Sequence, residues 1–486
     1  MNLNNKVLVM FILAFAGLIL LSAVSANENE TLIGDGSNVI EVDCLNGDDA
    51  AIQGTPVKSI GKAVEMSDNG TEIHLSDGVY SGSKNTRITI DKSIDIIGSN
   101  DTVIDGGNTN YLFTVTGNAK VTFKNIRFIN AYKSPESYAI NYPDSVYGSA
   151  VEIRNAQVLI DNCTFENNQL TYSTNNQYTY GGAISNDGDL TITDSRFISN
   201  IAHSTSGLFS YGGAIYNNGI MSISGSEFLK SDNDDFSFGG FIANYGSAEI
   251  TGTTIANSKS AGESRGSAIY NAGDLTLISS IVENNTIAKA SFQYVYGAVY
   301  NSGRLNGHSN IFRNNTGLYT VPSRGSPTIY SVGDLNLTHN LFLDNRPFEG
   351  IYKDVYLNSV GDIHLDNNWW GSNDDPYSTS SFNIRDEIHS WLILNITPEY
   401  APLEINQSVD IKVNWASVIG FNPALIPSAA LKINETPFDF RDDLTYTYND
   451  TGSKGLYRVN VTFYDFTRIV DVDVGKIKSI MSVEFE

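Results

Sequence analysis

The chain has 486 residues, of which 54 are acidic and 30 basic, for a formal net charge of −24. A surface this acidic repels nucleic acid and anionic lipid, so no nucleic-acid partner is expected. The chain has two cysteines, Cys44 and Cys163, which excludes a disulfide scaffold, so the fold must depend on apolar burial. We expect Cys163 to be a buried free thiol, with a bridge to Cys44 as the alternative.

Residues 1–26 have the pattern of a secretory signal peptide. One basic residue, Lys6, precedes an unbroken apolar run, and small residues follow as far as Ala26. We expect cleavage after Ala26, with an uncleaved N-terminal anchor as the alternative. No later apolar run is long enough to be a transmembrane segment after signal removal, so a secreted or cell-surface protein is expected.

Residues 27–105 are predicted to form an N-terminal cap and the first coils of a repeat fold. A short amphipathic helix is expected within residues 55–66. Pro56 suits its first turn, and Val57, Ile60 and Val64 have helical spacing. This helix would cover the open end of the strands that follow it.

Residues 106–376 contain a repeat with a period of 27 to 31 residues. All the length variation falls between repeats, which is typical of fixed cores joined by variable loops. The repeat is marked by a glycine at Gly188, Gly219, Gly246, Gly273, Gly303, Gly333 and Gly361. Two positions after the marker stand Leu190, Met221, Ala248, Leu275, Leu305, Leu335 and Ile363, and nine positions after it stand Phe197, Phe228, Ile255, Val282, Phe312, Phe342 and Trp370.

The spacing within each repeat favours strands over helices. Apolar positions alternate with polar ones, so each repeat has two or three short strands that must stack on the next repeat. Asparagines recur two residues before the marker and twelve after it, which predicts amide ladders between coils. They are Asn186, Asn217, Asn244, Asn271 and Asn301, and then Asn200, Asn285, Asn315, Asn345 and Asn373. The predicted fold is all-β, a right-handed parallel β-helix of about nine coils.

The repeat ends near two bulky residues, Trp369 and Trp370, which are expected to cover the last coil. Residues 377–394 are predicted to be a linker. Residues 395–486 alternate cleanly in the segments 408–415, 430–433, 456–463 and 468–474. These segments predict a small immunoglobulin-like β-sandwich.

The signal peptide, the Gly-Gly-Ala-Ile cores at Gly181 and Gly212, the closure at residues 367–376 and the following sandwich occur together. In this combination the chain resembles, over nearly its whole length, the adhesin-like surface proteins of methanogenic archaea. The resemblance implies export to the cell surface and attachment to surface glycans or proteins of other cells. It supplies no catalytic residue.

The alternative is a β-helix polysaccharide lyase or glycoside hydrolase that acts on acidic or plant-type polysaccharides. Such enzymes need several carboxylates gathered on one face, with a basic residue or Ca²⁺ nearby. Carboxylates do recur one position after the marker, but other residue types interrupt them, so we interpret them as solvated turn residues. They are Asp189, Asp274, Asp334 and Asp362. No catalytic residue, metal ligand or cofactor is therefore predicted, although residues 232–235 leave weak Ca²⁺ binding open.

Tyrosines three positions before the marker predict an aromatic stripe. If the isoleucines beside them point inward, these rings face outward and suit stacking on sugars or contact with a protein. Packing against the sheet alone is the alternative. The stripe consists of Tyr216, Tyr270, Tyr300 and Tyr330. Insertions at 132–147, 170–180 and 202–211 are expected to emerge at one corner and to shape this surface.

Asn-x-Ser/Thr sequences are compatible with glycosylation of an exported chain. The candidates are Asn162, Asn284, Asn314, Asn336, Asn434 and Asn460.

Overall fold

The computed structural model describes residues 38–50, 55–134, 145–172, 178–204, 209–261, 264–290, 296–319, 327–347, 354–358, 361–378, 388–417, 419–450 and 452–475. They form a parallel β-helix of about nine turns, followed by a second group of strands. The right-handed winding stays a prediction. The signal peptide predicted at 1–26 lies outside the described residues. In the described part of the chain, helices are too short or too polar to cross a bilayer.

Three ladders of parallel strands build the β-helix. Ladder 1 follows the marker glycine in each repeat and ladder 2 precedes it, and together they form a 20-stranded sheet. Ladder 3 belongs to a 13-stranded sheet. Because most coils contribute one short strand to each ladder, backbone hydrogen bonds run between coils rather than within them.

The ladders have the following strands. Ladder 1 contains Val39–Val42, Thr71–Leu75, Ile94–Gly98, Lys120–Lys124, Val151–Asp161, Ile184–Thr193, Ile220–Ser224, Ser247–Thr251, Asp274–Ile278, Arg304–His308, Asp334–Thr338 and Ile363–His364. Ladder 2 contains Ile88–Ile90, Phe113–Val115, the first halves of Val151–Asp161 and Ile184–Thr193, Ile215–Asn217, Ile242–Asn244, Ile269–Asn271, Val299–Asn301, Ile329–Ser331 and Val355–Leu357. Ladder 3 contains Gly78–Ser81, Thr102–Asp105, Arg127–Ile129, Thr164–Glu166, Arg196–Ile198, Glu227–Asp235, Thr254–Ala261, Ile281–Glu283, Ile311–Arg313 and Leu341–Leu343, and Thr286–Ala290, Thr316–Tyr319 and Arg346–Pro347 extend its sheet.

Like side chains lie above one another in the core, as the repeat predicts. Leu190 pairs with Met221 in the next coil, and both are buried. Phe197 stacks between Phe165 and Phe228, with ring centroids 4.8 and 4.6 Å apart. Stacked rings add about 0.5–1.5 kcal/mol per pair beyond the burial of their area. The apolar columns therefore form one continuous core.

The marker glycine is required by the close approach of neighbouring coils. A Cβ atom on Gly219 would lie 2.1 Å from the carbonyl oxygen of Gly188, and one on Gly246 would lie 2.0 Å from that of Gly219. No side chain fits at such distances. Only glycine lets the coils stack at strand spacing at this point.

The first predicted amide ladder is confirmed. Asn186 donates to Asn217 at 2.7 Å, and the bonds continue through Asn244 and Asn271 to Asn301. These side chains are buried, so each bond satisfies groups that would otherwise be costly to bury.

The second predicted amide ladder is confirmed in part. Asn285 donates to Asn315 at 3.1 Å, and Asn315 donates to Asn345 at 3.2 Å. Asn373 was wrongly included, because its side chain bonds both the N–H and the carbonyl of Leu394 instead.

The helix near the N-terminal end, α1, spans Ile60–Met66 and is capped by Ser59. The sequence placed its first turn at Pro56, which is wrong. Val57 instead pairs with Val42 as a β-bridge and donates its N–H to Glu41, so the chain is extended there. Ile60 is fully buried in the main core, in agreement with the predicted apolar face.

The two tryptophans at the end of the array have different roles. Trp370 stacks on Phe342 at 4.5 Å and covers the last coil, as predicted. Trp369 does not, because its ring lies among Trp415, Phe463 and Phe466, at 5.2 to 5.9 Å.

The C-terminal region, residues 392–475, consists of two sheets with a shared hydrophobic core. All four predicted segments are strands. One sheet contains Leu392–Thr397, Ser408–Ser417 and Asp443–Asn449, and the other contains Tyr400–Leu403, Phe466–Val474, Gly455–Phe463, Ala429–Ile433 and Thr436–Phe440, with a 3₁₀ turn at Pro423–Leu425. An immunoglobulin-like sandwich and the predicted domain boundaries stay predictions.

The cysteine prediction is confirmed. Cys44 and Cys163 are both free, and Cys163 is buried. Burial raises the pKa of the Cys163 thiol to about 12, so the thiol is protonated at neutral pH.

Candidate ligand-binding cleft

Three adjacent rows of side chains cross consecutive coils at one corner of the β-helix. The floor row lies on ladder 2 and consists of Glu152, Ser185, Tyr216 and Ala243. The ring row ends the insertions and consists of Tyr147, Tyr180, Tyr211 and Phe238. The rim row precedes the marker and consists of Arg154, Asp187, Asn218 and Tyr245.

The insertions hold the ring row in place. Their ends form two small parallel sheets, which confirms that they emerge at one corner. The outgoing strands are Tyr132–Lys133, Gln169–Tyr172 and Ile201–Ser204, and the returning strands are Ser145–Tyr147, Tyr178–Tyr180, Ser210–Tyr211 and Ser237–Phe238. The middles of the insertions lie outside the described residues.

A glycine directly follows each returning strand and turns the chain back toward the floor row. Gly181 and Gly212 have φ values of 76° and 67°. A Cβ atom on Gly212 would also lie 2.0 Å from the carbonyl oxygen of Ile215. Glycine alone permits this tight turn, and the turn places each ring beside the floor.

The rows enclose a cleft of about 360 Å³ at their N-terminal end. Tyr147 and Tyr216 line it together with Arg154, Asp187 and Asn218. Asn218 donates to Asp187 at 2.9 Å and so fixes the rim. The side of the cleft is therefore aromatic and its rim is polar.

The aromatic side is a continuous stack. The centroid of Tyr180 lies 5.0 Å from those of Tyr147 and Tyr211, with the rings nearly parallel, and 4.6 Å from that of Tyr216. Burial raises the pKa of Tyr211 to about 12 and also raises that of Tyr216. Both hydroxyls are consequently protonated at neutral pH and can donate hydrogen bonds.

A buried ion network lies under the cleft. The Lys133 side chain is 1% exposed, and its Nζ lies 2.6 Å from Glu152 Oε2. The same Nζ donates to the Tyr147 carbonyl at 2.9 Å and lies 4.8 Å from the centroid of the Tyr111 ring. Burial lowers the pKa of Lys133, and the charge of Glu152 opposes that shift.

Arg154 connects this network to the rim. Its Nε donates to Glu152 Oε1 at 2.7 Å, and its side chain is 52% exposed. Both carboxylate oxygens of Glu152 therefore accept from cations. These contacts orient the Arg154 guanidinium at the rim. They also occupy Glu152, the one carboxylate of the floor row, which is the type of group that acid–base chemistry would need.

The predicted tyrosine stripe exists as a physical stack, but its members differ in exposure. Tyr216 is half-buried and lines the cleft. Tyr270, Tyr300 and Tyr330 stack at 5.3 and 5.5 Å and are only 6 to 7% exposed. These three rings offer a ligand little free surface. Ligand binding by the stripe stays a prediction.

The buried part of the stripe is covered by the continuation of the ring row. Arg265 lies 4.9 Å from the ring centroid of Phe238, 5.3 Å from that of Tyr296 and 5.5 Å from that of Tyr300. Tyr296 also contacts Tyr330 edge-on at 4.9 Å. The Arg265 guanidinium and the Tyr296 ring thus cover the second part of the stripe, whereas the corresponding space beside Tyr216 is the open cleft.

The remaining candidates have no comparable arrangement. Asn233, within residues 232–235, is buried and donates to Ser231 and Gly240. The described residues contain no group of three or more side chains suited to a metal ion. The six glycosylation candidates are all exposed, and their modification stays a prediction. They are Asn162, Asn284, Asn314, Asn336, Asn434 and Asn460.

Sequence reasoning missed most of the cleft. The ring row is visible in the sequence, because Tyr147, Tyr180 and Tyr211 each directly precede a repeat glycine. The rim row was hidden by its varied chemistry, since Arg154, Asp187 and Asn218 share a position but no residue type.

No family model matches the chain, and no curated protein matches it. Among solved structures, the chain is similar to the crystal structure of pectate lyase Pel9A. The sequence identity is 11%, the match covers 76% of this chain and 90% of that chain, and the TM-score is 0.30. At this level of similarity the match carries no argument about activity or ligand.

Proposed function

We propose that the protein is an exported, adhesin-like protein that attaches to surface glycans or proteins of other cells without cleaving them. The proposal rests on one observation, the cleft in which Tyr147 and Tyr216 face a polar rim of Arg154, Asp187 and Asn218. Ring faces beside fixed hydrogen-bonding groups suit a ligand with apolar faces and many hydroxyls, which is the chemistry of sugars.

The ionic contacts of the floor favour binding over cleavage. Glu152 accepts from both Lys133 and Arg154, so both of its carboxylate oxygens are already engaged by side chains of the protein. Lys133 is buried and engaged by Glu152 and the Tyr147 carbonyl. A lyase or hydrolase would need at least one of these groups to be open to its substrate.

The proposed location depends on the sequence. The apolar segment within 1–26 favours export, and the net charge of −24 favours a solvated extracellular surface. We further propose that the β-helix is right-handed and that the C-terminal region is an immunoglobulin-like sandwich, which would place the cleft on a solenoid with an appended module.

A glycan array tests the proposal, with the mature chain and the variant Tyr216→Ala. We expect the wild type to bind a subset of glycans and the variant to lose that binding by about tenfold or more. A parallel assay for lyase and hydrolase products on pooled polysaccharides, with and without Ca²⁺, is expected to show no turnover. Sustained turnover would overturn the proposal in favour of the enzyme alternative.

A further inference from the structure

We propose that the ligand is a neutral, extended oligosaccharide that runs over three coil spacings, from Tyr147 to Tyr245. This inference rests on the proposed glycan binding and adds the length and the charge of the ligand.

Two exposed rings mark the ends of the binding surface. Tyr147 and Tyr245 are each 36% exposed, more than the other tyrosines of the three rows. They lie three coils apart, or about 14 Å at the strand spacing of a sheet. A single sugar ring cannot contact both faces, so a ligand that uses both must be a chain.

The surface between these rings is continuous. Tyr216 lies 5.6 Å from Tyr245 and 4.6 Å from Tyr180, measured between ring centroids. Asp187 and Asn218 run beside them on the rim, joined by their own hydrogen bond. The first three coils thus each supply at least one ring and one polar group, and the fourth supplies Tyr245, which matches a ligand with repeating faces and hydroxyls.

The surface ends at Tyr245. The plane of its ring is inclined by 70° to that of Tyr211 and by 38° to that of Tyr270. Tyr245 therefore does not stack in parallel on either ring. Beyond it the rim continues with Ala272, which is apolar, and Tyr270 beside it is buried. The proposed binding groups therefore come from four consecutive coils, which are three coil spacings.

The charges of the surface favour a neutral chain. Arg154 and Lys133 are matched by Glu152 and Asp187, so the cleft carries balanced charges. A polyanion would meet Asp187 and the net charge of −24, and a polycation would meet the exposed guanidinium of Arg154. Like-charge contacts of this kind select against both.

Calorimetric titration with neutral gluco-, manno- and galacto-oligosaccharides of one to six units tests the inference, with galacturonate oligomers as the charged comparison. We expect affinity for a neutral series to rise with length and then to level off once three coils are spanned. Tyr245→Ala should weaken binding of the longer oligomers by roughly fivefold to tenfold and leave the disaccharide unchanged. Tyr245→Phe should retain the wild-type affinity, which separates the ring from its hydroxyl, and unchanged disaccharide binding by Tyr245→Ala excludes a folding defect.

The matched control is Tyr400→Ala, which removes another exposed tyrosine, in the C-terminal region, and should change nothing. Equal affinity for the monosaccharide and the hexasaccharide would overturn the extended ligand while leaving glycan binding intact. Tighter binding of galacturonate oligomers would overturn its neutrality. Absence of binding to every one of these oligosaccharides, by a wild-type chain that does bind on the glycan array, would overturn this inference and leave the proposed function intact.

Discussion

The two halves of the tyrosine stripe occupy the same positions of the repeat and have opposite surroundings. In the first half, Tyr216 shares its row with Glu152 and Ser185 and lines an open cleft. In the second half, Tyr270 and Tyr300 stack on each other and are almost fully covered. Because the backbone register is the same in both, the neighbouring row decides whether a ring is accessible.

The neighbouring row differs in chemistry along its length. Beside the open half it has tyrosines, whose nearly parallel rings stack on each other. Beside the covered half, Arg265 and Tyr296 lean over the stripe. A repeat protein can thus place one surface column over many coils and open it over only a few of them.

The largest effect is expected at the floor of the open half. Lys133→Ala leaves Glu152 without its buried partner and should lower the free energy of unfolding by about 3–5 kcal/mol, measured by denaturant titration. The double variant Lys133→Met, Glu152→Leu removes both charges and should recover much of the loss. A single variant that unfolds within about 1 kcal/mol of the wild type would contradict a buried ion pair.

The covered half should respond in stability and not in binding. Tyr300→Ala removes a buried ring between two stacked neighbours and should cost about 3 kcal/mol in the free energy of unfolding. Its affinity for a glycan found on the array should be unchanged. Tyr216→Ala is the matched variant in the open half, and it should show the reverse pattern. Equal losses of affinity in both variants would remove the distinction between the halves.

A smaller loss of stability is expected when Arg265, which covers Tyr300, is removed. Arg265→Ala deletes the cation that contacts Phe238, Tyr296 and Tyr300 and should cost about 1 kcal/mol. Quenching of tyrosine fluorescence by acrylamide should increase, because Tyr300 becomes more exposed. Glycan affinity should stay the same, since Arg265 is not among the residues that line the cleft beside Tyr147 and Tyr216. A gain of affinity would show that exposure alone makes a binding surface.

The smallest effect concerns alkaline stability. Burial raises the pKa of Tyr211 from 10 to about 12, so the folded chain keeps a proton that the unfolded chain loses. Its contribution to stability is present below pH 10 and is lost as the pH rises toward 12. Tyr211→Phe should therefore move the midpoint of alkaline unfolding upward by a few tenths of a pH unit. A downward shift in a circular dichroism titration would contradict the burial.

Much of the fold was predictable, because each coil repeats the same constraints. The marker glycine, the apolar columns and the amide ladder from Asn186 to Asn301 all follow from residues at fixed offsets. The errors occur at the ends of the array. Asn373 has the right spacing, but among the described residues its amide joins the backbone of Leu394 and not another asparagine.

The site was less predictable, because it depends on contacts between rows that sequence offsets do not relate. The stripe was found because tyrosine recurs in it. Glu152 occupies the same row without being a tyrosine, and its partner Lys133 comes from an insertion 19 residues earlier. Tyr300 is covered by Arg265, whose position next to a glycine gives no sign of what it covers.

Trp369 and Trp370 are adjacent in the chain and anchor in two different cores. Load applied to the C-terminal strands therefore reaches the final coil through the Trp369 ring and through the hydrogen bond from the Leu392 N–H to the Asn368 carbonyl, as well as along the covalent chain. Since each coil of a solenoid is held mainly by its neighbours, peeling under load would begin at that coil. The contacts around the two tryptophans would then contribute to the pull that the chain withstands before this coil unravels.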